Sequence, residues 1–149
     1  MKIGFIGLGN VGGKLAGSLL RNGFDLTVRD LNEQTVREFI ERGAIFGESP
    51  KQMVESSDLI ITCLPSPAVS AAVMESQDGI LAGMSAGKIW AEMSTTDEAE
   101  VIRLGEKVQN LDGSLWTVLS LEAATELTQE TYLFSREEKD RHLIKCCLF

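Results

Sequence analysis

Met1-Lys2-Ile3-Gly4-Phe5-Ile6-Gly7-Leu8-Gly9-Asn10-Val11-Gly12 is the stretch around which the rest of the chain is organised. Met1 to Ile6 is short, apolar and β-prone, and predicts a buried strand. Beyond the glycines, Val11, Leu15, Leu19 and Leu20 recur at helical spacing until Asn22-Gly23 supplies a stop. A G-x-G-x-x-G between strand and helix is the dinucleotide-binding fingerprint. In that reading Gly7 permits the tight turn, Gly9 lets the backbone approach a pyrophosphate, and Gly12 lets helix and strand pack closely. The helix N-terminus then turns free N–H groups and a positive dipole end toward the diphosphate. Three glycines alone also mark ordinary turns, so the reading needs a second feature. Asp25-Leu26-Thr27-Val28-Arg29 supplies it as a predicted second strand ending in Asp30, 23 residues beyond Gly7. The fingerprint places an acid about 20 residues on, where it accepts hydrogen bonds from the adenosine ribose.

Length and composition narrow the class. The chain has 149 residues, the size of one domain. Its formal net charge of −8 disfavours a nucleic-acid partner. No apolar run reaches the roughly eighteen residues of a membrane span. The first residues read as a strand rather than a secretory signal, which predicts a cytoplasmic location, or an organelle matrix if a targeting segment precedes them. Cys63, Cys146 and Cys147 have neither metal spacing nor an even count, which favours reduced thiols and no metal site. Cys63 sits in an apolar strand and reads as a small core residue.

The rest of the chain alternates strand and helix. Asn32 is the expected cap of a helix over Glu33 to Ile40 that Gly43 can close. Ala44-Ile45-Phe46 is a short third strand, and Ser49-Pro50 starts a helix through Glu55 with proline at its first position. Asp58 to Leu64 is a buried parallel strand by its near-continuous apolar run. Pro65-Ser66-Pro67 breaks it, and Ala68 to Met74 reads as helix. Gly79, Gly83 and Gly87 punctuate a loop and short helix before a fifth strand, Lys88 to Met93. Thr96 is the expected cap of a last helix running to about Gln109. Strands alternating with helices predict an α/β fold, a Rossmann-type doubly wound parallel sheet in a single domain.

Four stretches carry a family resemblance. Gly4 to Gly12, the Leu64-Pro65 loop, Gly79-Ile80-Leu81-Ala82-Gly83 with Gly87-Lys88, and Glu92-Met93-Ser94-Thr95 together resemble the N-terminal half of the β-hydroxyacid dehydrogenases. That group includes 3-hydroxyisobutyrate dehydrogenase and 6-phosphogluconate dehydrogenase. The resemblance covers about residues 1–110 and implies an NAD(P)-binding domain with strand order 3-2-1-4-5-6. It implies a cofactor site made by Gly7, Leu8, Gly9, Asn10, Val11, Gly12, Asp30, Leu64, Pro65 and Thr95, with Leu64-Pro65 along the adenosine–pyrophosphate stretch and Thr95 near the nicotinamide. Three departures stand out: Val11 where methionine is common, Glu92 where aspartate is usual, and Thr96-Asp97 in place of a proline turn. Read without the family, Ser94-Thr95-Thr96 is a helix cap, the less favoured of its two readings, and Pro65 and Pro67 are equally strand terminators.

The Asp30-Leu31 pair bears on cofactor choice, since NADP-preferring members of the family usually carry Asn-Arg there. An acid ~4 Å from a phosphate costs about 4 kcal/mol per unit-charge pair at an effective dielectric of 20. Even a third of that is roughly tenfold in affinity. The expectation is therefore NAD over NADP, against which stands Arg29, a cation able to swing over and accept the phosphate.

The resemblance stops near residue 110, which divides the chain into a dinucleotide-binding domain (1–110) and an atypical tail (111–149). The family continues into a sixth strand and D-x-P-V-S-G-G, followed by a helical domain that carries the catalytic lysine and the oligomer contacts. Trp116 to Ala124, back-translated and read two bases late, permits D-C-P-V-S-G-G, so the tail reads as out of frame with the family. As translated, Leu115 to Leu119 is β-prone enough to stand in as the sixth strand, Leu121 to Thr131 has helical composition, and His142 follows a charged run. Two functions follow as expectations. One is the cofactor half of a hydroxyacid dehydrogenase, monomeric or poorly assembled, binding dinucleotide without turnover and holding no catalytic residue. The other is a stand-alone dinucleotide-binding regulatory module with a genuine short tail.

Overall fold

Six strands arrange themselves as one parallel sheet with helices on both faces. The computed structural model describes residues 1–94 and 97–117. In chain order the elements are β1 (Lys2–Ile6), α1 (Gly12–Arg21), β2 (Asp25–Arg29), α2 (Glu33–Glu41), β3 (Ile45–Phe46), α3 (Pro50–Ser56), β4 (Leu59–Thr62), α4 (Pro67–Glu75), α5 (Ile80–Gly83), β5 (Ile89–Glu92), α6 (Glu98–Gln109) and β6 (Ser114–Thr117). The strand order is β3-β2-β1-β4-β5-β6, with every neighbouring pair parallel. This is the doubly wound arrangement that the alternating pattern predicts.

The period of two along each strand sorts side chains between two cores. Ile3, Phe5, Leu26, Val28, Leu59, Ile61 and Ala91 meet Leu19 of α1 and Val36 and Phe39 of α2 on one face. Ile6, Ile60 and Trp90 point the other way, toward Met53, Met74, Ile80, Leu104 and Val108. Trp90 is fully buried. An aromatic of its size removes ~150–250 Å² from water, worth roughly 4–6 kcal/mol at 25 cal/mol/Å². Its indole N–H is not left unpaired, since it donates to Thr62 Oγ1 at 2.8 Å.

Local chemistry sets the element ends. Asn32 caps α2 by accepting from the N–H groups of Gln34 and Thr35, and Ser49 caps α3 ahead of Pro50. The helix expected from Ala68 begins one residue earlier, because Ser66 accepts from Val69 N–H and Pro67 occupies the first helical position. Pro67 therefore starts a helix, and the strand expected to run to Leu64 already ends at Thr62. The expected cap Thr96 is corrected to Asp97, whose carboxylate accepts from Ala99 N–H at 3.0 Å. The fifth strand is shorter than expected, Ile89–Glu92, and the Lys88 N–H turns back to Ser85 O at 3.2 Å. β6 runs parallel to β5 from Ser114 to Thr117, at the start of the stretch whose composition suggested a stand-in sixth strand. The expectations for Leu121–Thr131, His142, Cys146 and Cys147 lie outside the described residues, as does that for Thr95.

Candidate functional site

The chain winds from β1 outward to β3, returns through α3 to β4 beside β1, and then winds the other way. The carboxyl ends of β1 and β4 thus flank a topological switch point, where open α/β sheets bind ligands. The glycine turn lies there. Gly7 closes β1 with φ +97° and donates its N–H to Arg29 O at 3.0 Å. A Cβ on Gly7 would overlap the Cys63 carbonyl, and one on Gly12 would overlap the Gly7 carbonyl. Both glycines are therefore explained by the fold itself. Gly9 is not: a Cβ there meets no atom within 4 Å, and its φ is unremarkable. The fold leaves open space beside Gly9, as a backbone meant to approach a ligand requires.

The helix that follows, like the one-turn α5 behind Gly79, has no side-chain cap. Asn32, Ser49, Ser66 and Asp97 cap α2, α3, α4 and α6 with side-chain oxygens, whereas Val11 gives α1 no such bond and its first turn holds no acid. The N–H groups of Asn10 and Val11 donate to no partner among the described residues. An uncapped N-terminus of this kind favours an anion. Asn10 is exposed and Val11 is 60% exposed, so neither side chain blocks the approach. Leu8 differs, since its side chain is buried in the core and only its backbone belongs to the turn.

Asp30 reaches the turn directly. One carboxylate oxygen accepts from Leu8 N–H at 2.5 Å, and the other accepts from Asn32 N–H at 2.8 Å. The acid expected to meet a ribose therefore also fixes the glycine loop, and each oxygen keeps a lone pair for a further donor. Arg29 is held elsewhere, its guanidinium donating to Gly47 O at 2.9 Å and Glu48 O at 2.6 Å. Leu31 is 96% exposed and carries no charge. A groove of about 390 Å³ opens beside these residues, lined also by Val36, Arg37 and Phe46.

Across the switch point the ends of β4 and β5 form a chain of hydrogen bonds. Thr62 Oγ1 accepts from Trp90 Nε1 and donates to Glu92 Oε2 at 2.9 Å. Glu92 Oε1 accepts from Ser94 N–H at 2.7 Å, and Ser94 Oγ accepts from Leu64 N–H at 2.7 Å. Glu92 is only 2% exposed. Burial pushes its carboxyl above the ordinary carboxylate range, against the opposing pull of its Ser94 and Thr62 bonds. Cys63, half-buried beside Gly12, donates weakly to Met93 O at 3.8 Å. Burial first and the Glu92 charge second raise its pKa, so it stays a thiol rather than a nucleophile.

The structure thus brings Gly7, Leu8, Gly9, Asn10, Val11, Gly12 and Asp30 into one loop cluster, and ties the backbone of Leu64, next to Pro65, to Ser94. Sequence reasoning missed the Thr62–Glu92–Ser94 connection. A signal for it existed: Glu92 is a charged residue ending an otherwise apolar strand, and in the parallel register it pairs with Thr62. Lys88 lies at the amino end of β5, opposite these loops, with Nζ donating to Ser57 O at 2.6 Å. No helix among the described residues is long and apolar enough to cross a membrane.

Comparison with known proteins agrees with this geometry. A family profile described as the NAD binding domain of 6-phosphogluconate dehydrogenase matches residues 2–116. The chain is 35% identical over 109 residues to the mitochondrial 3-hydroxyisobutyrate dehydrogenase of Rattus norvegicus, covering 73% of this chain and 32% of that protein. It is 31% identical over 112 residues to the cytokine-like nuclear factor N-PAC of Homo sapiens, covering 75% of this chain and 20% of that one. Among solved structures, an imine reductase from Pseudomonas sp. superposes with TM-score 0.69 at 28% identity, over 76% of this chain and 39% of the reductase. The chain therefore spans a third or less of the length of these curated relatives.

Proposed function

The chain belongs to the family of NAD-binding domains of 6-phosphogluconate dehydrogenase, and on that premise we propose that it is the cofactor half of a hydroxyacid-dehydrogenase-like oxidoreductase that uses NAD rather than NADP. The observation that carries the binding site is Gly9, the one glycine of the three whose missing side chain the fold does not need. The backbone of Gly7, Leu8, Gly9, Asn10, Val11 and Gly12 would hold the pyrophosphate, and Asp30 would accept from the adenosine ribose. The Leu64-Pro65 loop would line the opposite side of the cofactor, and Thr95 would lie near the nicotinamide. When bound, the nicotinamide ring supplies the hydride chemistry; this chain's residues bind and orient it.

Three features support NAD. Asp30 sets a negative charge where a 2′-phosphate would lie, Leu31 offers no compensating cation, and Arg29 is already held by two carbonyls. Turnover needs more than these residues provide. A base for the hydroxyl proton is worth typically a hundred- to ten-thousand-fold, whereas Ser94 is too weak and Lys88 lies at the wrong end of its strand. We infer cofactor binding without turnover, in a cytoplasmic or organelle-matrix setting, with no nucleic-acid or membrane partner. A second reading, a dinucleotide-binding module in a regulatory protein, draws on the 31% identity to N-PAC, a protein named as a nuclear factor.

Titration of NADH and NADPH into the purified chain, with parallel assays on 3-hydroxyisobutyrate and glycerate, tests both parts. Tighter NADH binding and no NAD reduction are expected. Equal or tighter NADPH binding contradicts the cofactor assignment, and sustained turnover contradicts the absence of a base.

A further inference from the structure

The cofactor loops after β4 and β5 are not independent in this structure. Each is short, and their backbones are joined through a carboxylate sunk beneath them. Leu64 N–H, in the loop after β4, donates to Ser94 Oγ in the loop after β5 at 2.7 Å. Ser94 N–H in turn donates to Glu92 Oε1 at 2.7 Å, and the other carboxylate oxygen takes the Thr62 hydroxyl at 2.9 Å. The Thr62 hydroxyl accepts from the Trp90 indole at 2.8 Å, so its proton is free to point at Glu92. Every polar atom in this chain thus has a partner, and Trp90 anchors one end in the core.

We propose that Glu92 is a positioning residue for the nicotinamide half of the dinucleotide, holding the Leu64 and Ser94 loops in one arrangement through the Thr62–Glu92–Ser94–Leu64 chain of hydrogen bonds. The proposal rests on the dinucleotide reading above. Such a fold is built from two mononucleotide-binding halves. The acid on β2 marks the β1–β3 half as the one that takes adenosine, which leaves the β4–β6 half for the nicotinamide mononucleotide. Glu92 lies wholly in that second half, at the carboxyl end of β5. A buried carboxylate is costly to keep, and an apolar residue at Glu92 would join the adjacent core without that cost. Its retention is explained by what it holds. The chemistry also accounts for the chain length at this position, since one side chain must reach both Thr62 on the neighbouring strand and the Ser94 amide two residues ahead.

The test compares NADH with ADP-ribose, which keeps the adenosine and pyrophosphate but lacks the nicotinamide. Glu92→Leu removes both acceptors. It is expected to weaken NADH by tenfold or more and ADP-ribose by clearly less, since ADP-ribose keeps the pyrophosphate beside Leu64-Pro65 and lacks only the nicotinamide. Ser94→Ala keeps Glu92 and Trp90 in place and removes the hydroxyl that Leu64 N–H and Glu92 share, so it serves if Glu92→Leu does not fold; a three- to tenfold loss for NADH, larger than that for ADP-ribose, is expected. Glu92→Gln retains an acceptor for Ser94 and a polar partner for Thr62, and should restore NADH affinity to within threefold of the parent. Unchanged NADH affinity in folded Glu92→Leu or in Ser94→Ala overturns the proposal, as do equal losses for both ligands. Failure of the parent chain to bind either ligand would overturn the dinucleotide reading itself, and with it this role for Glu92.

Discussion

In the β3-β2-β1 half of the sheet the site is made of backbone. Gly7 and Gly12 fit where no other residue fits, Gly9 leaves space open, and one side chain, Asp30, holds the loop through Leu8 N–H. In the β4-β5-β6 half it is made of side chains that meet only after the strands have paired. Thr62, Glu92 and Ser94 are up to 32 residues apart in sequence and become one hydrogen-bonded unit at the ends of two neighbouring strands. The first half therefore depends on its glycines, its acid and the buried Leu8, and leaves Asn10 and Val11 exposed. The second half depends on matching side chains and should respond gradually to substitution.

The sharpest way to break this comparison is to substitute two glycines of the turn, the exposed Gly9 and the buried Gly12. Gly9→Val should weaken NADH a hundredfold or more, about 2.7 kcal/mol or above, with thermal unfolding close to the parent because nothing in the fold occupies that space. Gly12→Val should do the reverse and lose folded protein first, since its Cβ overlaps the Gly7 carbonyl. Calorimetric titration paired with thermal melts separates the outcomes. If Gly9→Val melts far below the parent, the glycine serves the turn and not a ligand.

A smaller effect is expected at Asp30. Asp30→Asn should narrow the preference for NADH over NADPH by roughly tenfold, while the amide oxygen can still accept one of the two backbone bonds from Leu8 or Asn32. Competition between the two cofactors measures it. An unchanged ratio would mean that the charge at this position does not select the cofactor.

The difference between the halves also explains what could be read in the sequence. Gly7 to Gly12 and Asp30 are legible because backbone requirements leave a fixed spacing, and strand order follows from alternating apolar runs. Asn32 and Ser49 are legible as caps because their partners lie two or three residues away. Thr96 was the wrong cap for a related reason. Several neighbouring hydroxyls and carboxylates could close the same helix, and only the geometry selects Asp97. Glu92 resisted reading because its partners lie on another strand, and the Arg29 contacts to Gly47 and Glu48 resisted it likewise.

The smallest effect is a pH dependence of stability at Glu92. Burial raises its carboxyl above the ordinary value of 4.5, so the folded state holds that proton more tightly than the unfolded chain does. The contribution is fully present below pH 4.5 and is lost as pH rises through the folded value. Glu92→Gln does not titrate there, so its stability relative to the parent should rise with pH across that window and level off above it. Denaturant unfolding at a series of pH values reads the gap, and a gap constant with pH contradicts the assignment.

The central claim is that a dinucleotide lies against the glycine turn, and amide resonances report that most directly. Saturating the 15N-labelled chain with NADH should shift the Gly9, Asn10 and Val11 amides most, because these N–H groups have no partner among the described residues. The amides of α3, packed against the far end of the sheet by Met53 and Val54, should barely move. Binding that leaves Gly9, Asn10 and Val11 unshifted while perturbing another surface would contradict the account.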